Sequence, residues 1–109
     1  MECLKQTLPE LRYLYYHMNR KERNEYIQSA SPKLMQCLNE IVINLLYSHK
    51  NGLNLSKNEL KKLSPYKNAM KKIVLSKSVS AKRKLLKNSL LEILLSTILA
   101  IVSDRDLEN

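Results

Sequence analysis

The chain has 109 residues, 44% of them apolar and 27% charged, and its nineteen Lys and Arg outweigh ten Asp and Glu to give a net charge of +9. That length fits one domain, and the apolar content is too high for a disordered basic tail. With a single Gly there is no material for a phosphate-cradling loop, and Cys3 and Cys37, far apart in sequence, form neither a disulfide framework nor a zinc quartet.

The absence of Phe and Trp makes an aliphatic core the expectation. Sparse Gly and repeated cap signals point to an all-α fold, a small bundle of five or six helices. One helical domain over 1–103, followed by an acidic frayed tail at 104–109, is the expected organisation. Thr7-Leu8-Pro9-Glu10 has the form of a capping box, so a helix is expected from there with Leu8, Leu11, Tyr15 and Met18 on one face. Asn19-Arg20-Lys21-Glu22 repeats the signal ahead of a short charged helix to about Ser29, with Tyr26 and Ile27 inward.

Ser31-Pro32 is the favoured N-cap and N1 pair. The stripe Leu34, Leu38, Ile41, Val42, Leu45 and Leu46, widened by Met35 and Cys37, marks the best core helix, which is expected to stop near Gly52. Ser56-Lys57-Asn58-Glu59 opens a further helix, cut after Leu63 by Ser64-Pro65, which caps another reaching about Leu75 with Tyr66, Ala69, Met70 and Ile73 inward. Residues 75–80 read as a hinge. Ser80 then caps one long helix from Ala81 to about Val102 that begins Lys82-Arg83-Lys84 and ends almost wholly aliphatic.

Charge is concentrated. Residues 51–89 contain a single acid, Glu59, and carry a local charge of about +10. Lys57, Lys61, Lys62, Lys67, Lys71, Lys72, Lys77, Lys82, Arg83, Lys84 and Lys87 are the candidate phosphate contacts, since neutralising phosphates releases condensed counterions and gives affinity indifferent to base sequence. One Arg among ten Lys argues against base readout. Lys71-Lys72 and Lys82-Arg83-Lys84 have the spacing of a bipartite nuclear-import signal, and Ser76, Ser78 and Ser80 lie between them, within reach of phosphorylation.

Leu90, Leu91, Leu94, Leu95, Ile98, Leu99, Ile101 and Val102 form an apolar arc too wide for one neighbour to cover, so the final helix packs centrally, meets a partner or second copy, or enters a lipid interface. The run is too short to span a bilayer, which takes roughly 18–20 residues. His17 and His49 have no ligand at metal spacing, so no catalytic residue, metal or cofactor is expected. No secretory signal opens the chain, which points to an intracellular setting, nucleus or virion.

From Cys37 onward the order of features is Cys37-Leu38-Asn39-Glu40-Ile41-Val42-Ile43-Asn44-Leu45-Leu46, Leu55-Ser56-Lys57, Leu60-Lys61-Lys62-Leu63, Tyr66-Lys67, Ile73, Ser80, Lys82-Arg83-Lys84-Leu85-Leu86, then an apolar tail. Over residues 30–103 this order resembles the small basic proteins of Maverick/Polinton-type elements and their adintovirus relatives, which are compared with the adenoviral core protein X. In those relatives a Gln/Lys-Gly-Gly-Phe step precedes the apolar tail; here Lys87-Asn88-Ser89-Leu90 stands in its place, so one continuous helix is expected through it. The resemblance implies a virion-core or capsid-associated accessory protein that contacts DNA and has no enzymatic activity. An interaction adaptor or a membrane-active protein, using the apolar C-terminal helix, is the alternative.

Overall fold

Cap chemistry and apolar stripes sort the residues described by the computed structural model, 2–48, 50 and 54–105, into seven α-helices and one 3-10 turn. The order is α1 (Glu2–Tyr16), α2 (Arg20–Gln28), α3 (Pro32–Leu46), α4 (Lys57–Leu63), the 3-10 turn (Ser64–Tyr66), α5 (Lys67–Leu75), α6 (Val79–Leu85) and α7 (Asn88–Arg105). The protein is an all-α bundle, with no strand among the described residues. Gly52, His49 and the tail from residue 106 lie outside the described residues.

Three caps stand where the sequence puts them. Asn19 and Glu22 exchange hydrogen bonds of 2.8 and 2.9 Å at the start of α2, and Ser56 and Glu59 do the same at α4 with bonds of 3.1 and 2.8 Å. Ser31 accepts from the Leu34 amide at 3.1 Å, with Pro32 at the first helical position of α3.

Thr7 is not a cap. Helix α1 already runs from Glu2, with Pro9 inside it on the exposed side. Leu4, Thr7, Leu11 and Leu14 are its buried line, at helical spacing, whereas Leu8 is only half-buried. An internal proline costs about 3 kcal/mol by removing a backbone bond. Burying a leucine such as Leu4 contributes roughly 1.5–3 kcal/mol in return. Inside this helix the Thr7 hydroxyl donates to the Cys3 carbonyl at 2.8 Å.

Ser64 does not cap either. It keeps right-handed helical angles, so α4 passes through the 3-10 turn into α5 without an extended residue. Ser78, not Ser80, caps α6, accepting from the Ala81 amide at 3.1 Å.

The expected continuous helix from Ala81 to Val102 is broken. Helix α6 ends at Leu85, α7 begins at Asn88 with φ of 54°, and the two axes are bent by 91°. Asparagine tolerates the left-handed region better than most residues, so a glycine is not required for the turn. After the bend α7 runs through the middle of the bundle, against α1, α2, α3 and α4. Leu90, Leu91, Leu94, Leu95, Ile98, Leu99, Ile101 and Val102 are all buried there. Of the three settings expected for this arc, central packing is the one found, and the partner or membrane contact expected of these residues is corrected: the chain's own core covers them. Among the described residues no single helix is long and apolar enough to cross a membrane; α6 and α7 pass that test only as a bent pair.

Candidate nucleic-acid interface

Nine of the eleven expected phosphate contacts are exposed: Lys57, Lys61 and Lys62 on α4, Lys67, Lys71 and Lys72 on α5, Lys77 beyond it, Lys84 on α6 and Lys87 at the bend. Among the described residues none of the nine makes an ion pair. Met70 and Ile73 fix the inward side of α5, so at 100° per residue Lys71 and Lys72 fall on its outer face, on either side of a Leu75 that is 78% exposed, with Lys67 on the flank one turn before Lys71. On α4, Lys57 and Lys61 are one turn apart and share a face. The nearby acid Glu59 is turned back into its capping box.

Lys82 and Arg83 depart from the expectation. Lys82 Nζ donates to the Ile73 carbonyl at 2.7 Å and to Asn39 Oδ1 at 3.0 Å. Arg83 Nη2 donates to the Ala30 carbonyl, and its Nε is buried without a hydrogen-bond partner among the described residues. Lys82 adds a charged donor to a last-turn carbonyl of α5 that also accepts from the Ser76 amide, where positive charge is favoured, and Arg83 reaches the carbonyl of Ala30, two residues past the end of α2. The bend between α6 and α7 lets α6 lie across α5 and α2 and deliver both side chains. They are structural cations and leave the phosphate-contact set.

Sequence reasoning missed a third basic arrangement. Arg20 grips Glu92 with two bonds, Nε to Oε2 at 2.7 Å and Nη2 to Oε1 at 2.8 Å, and Arg23 Nη1 reaches the same Oε2 at 3.0 Å. Arg23 Nε also donates to the Leu14 carbonyl at 2.8 Å, closing the end of α1, which has no basic residue in its own last turn. The Arg20 hydrogen bond holds the Glu92 carboxyl below its ordinary range, and Glu92 in turn raises the Arg20 guanidinium. Around this knot lies an open cleft of about 600 Å³ whose wall includes Tyr15, Tyr16 and Tyr66. The available signal was Glu92 itself, the single acid within the apolar stretch 90–102.

The two cysteines, separated in sequence, are adjacent in space. Cys37 donates to Cys3 Sγ at 2.7 Å, and Cys3 donates to Glu40 Oε2 at 3.1 Å. His17 stacks on Tyr13 with ring centroids 5.1 Å apart. Comparisons with protein-family models, with curated proteins and with solved structures found no match.

Proposed function

We propose that this chain is a non-enzymatic, DNA-associating protein of the virion-core or capsid-accessory type, acting in the nucleus or the virion. It holds duplex without sequence preference on Lys57, Lys61, Lys62, Lys67, Lys71, Lys72, Lys77, Lys84 and Lys87. The observation that carries this reading is that these nine are exposed and make no ion pair among the described residues, while the two neighbouring cations with a structural duty are both bonded inward. A surface that serves only solubility mixes both signs, whereas unneutralised lysines on successive helices suit a polyanion. The adaptor and membrane readings drew on the apolar face of α7, which is core.

Binding of the full chain to random-sequence duplex at several salt concentrations tests the reading. The log–log slope should be about −0.9 for each phosphate contacted, with little dependence on base sequence. A slope near zero would remove the DNA role.

A further inference from the structure

We propose that Cys3 and Cys37 are an oxidation site that closes to an intramolecular disulfide, with a small-molecule disulfide such as oxidised glutathione as co-reactant. The thiols are 2.7 Å apart across the α1–α3 contact, and bonding requires the sulfurs to approach to about 2.05 Å. The chain has two cysteines, thirty-four positions apart, and the fold brings both to one point. Thr7 Oγ1, 3.2 Å from Cys37 Sγ, and Glu40 Oε2, 3.1 Å from Cys3 Sγ, flank the pair.

Exposure sets the order of events. Cys3 is half-buried and reachable, whereas Cys37 is 0% exposed. The Cys3 thiolate attacks one sulfur of the small disulfide, whose S–S bond breaks to release one thiolate. The Cys37 thiolate then attacks the Cys3 sulfur, and the mixed disulfide breaks to release the second. The two protein thiol protons end on the two released thiols, so the protein loses two hydrogens and the co-reactant is reduced by the same two electrons.

Burial, then the Cys37 and Glu40 contacts, push the Cys3 thiol well above its ordinary range. Thiolate is scarce near neutrality and closure is slow there, which separates this pair from fast peroxide sensors with depressed thiol pKa values. Once closed, the bond ties the N-terminal helix to α3.

The test uses the full chain, reduced and then held with oxidised glutathione at about pH 8.5, near the ordinary thiol pKa. Both free thiols should disappear without adduct mass, and tryptic digestion should yield peptides 1–5 and 34–50 joined. The oxidised form should melt at a higher temperature than the reduced form, with dithiothreitol reversing the shift. Cys3→Ala, at the half-buried position, should show no oxidant-dependent shift. Two glutathione adducts on the folded chain would overturn the proposal. So would a disulfide-linked dimer, or two thiols that stay free in the folded chain even as the pH is raised stepwise to the limit of folding, while the guanidinium-unfolded chain oxidises fully.

Discussion

Asn24 and Asn88 clasp each other across the α2–α7 contact: Asn24 Nδ2 donates to Asn88 Oδ1 at 2.8 Å, and the Asn88 amide donates to Asn24 Oδ1 at 2.9 Å. The second bond satisfies an amide that opens α7, and the pair holds Asn88 at its positive φ. That local clasp decides the direction of the last eighteen-residue helix.

The clasp makes a prediction with a sign. In a continuous helix, Asn88→Ala would stabilise, because alanine is the better helix former. At a left-handed position it should instead destabilise by about 1–2 kcal/mol, through the Cβ clash and the missing hydrogen bond. Asn88→Gly should cost less than Asn88→Ala, and Asn88→Val more. Urea denaturation of the three variants checks the order.

Local signals were legible where one residue's chemistry suffices. Asn19, Ser31 and Ser56 cap because a side-chain oxygen three positions before an unpaired amide needs no tertiary partner. Thr7 and Ser80 carry the same signature but fail to cap, because the buried line beginning at Leu4 and the Ser78 cap each start their helix earlier. The bend at Asn88 depends on Asn24, sixty-four positions away, and no periodicity within 81–102 encodes it. For the candidate interface, composition located the cations but could not tell Lys84, which is exposed, from Lys82, whose ammonium is held by Ile73 and Asn39.

Glu92 predicts an acid-sensitive link between α2 and α7. Its folded pKa lies below the ordinary 4.5, chiefly through the Arg20 bond, so its contribution is complete above about pH 4.5 and is lost as pH falls through the lower folded value. Glu92→Gln should therefore be less stable than the parent at neutral pH, and the gap should close as both are titrated down through the folded pKa of Glu92. Thermal midpoints across that range test it; a gap independent of pH would assign the loss to packing and not to charge.

Core and surface leucines should separate cleanly. Leu95 is fully buried on α7, so Leu95→Ala should cost about 2–5 kcal/mol through forfeited transfer energy and the cavity left behind. Leu75, largely exposed, should tolerate alanine within about 0.5 kcal/mol. If α7 were instead a membrane or partner contact, Leu95→Ala would leave the free protein's denaturation midpoint unchanged and reduce vesicle binding.

The two kinds of cation within residues 57–87 should respond in opposite ways. Lys82→Gln removes an ammonium that donates to the Ile73 carbonyl and to Asn39, so it should destabilise the fold by about 1.5–3 kcal/mol, the range for hydrogen bonds made by a charged group. Its effect on the salt dependence of duplex binding should be nil, measured under conditions where the variant is folded. Changing Lys61, Lys62, Lys71 and Lys72 to Gln together should leave the denaturation midpoint nearly unchanged, since all four are exposed and Gln is a fair helix former. That quadruple variant should lower the magnitude of the log–log salt slope by about 0.9 for each phosphate it no longer neutralises. A quadruple variant that binds as the parent does would refute the lysine interface, and a Lys82→Gln protein with unchanged stability but a shallower slope would return Lys82 to the DNA-contact set.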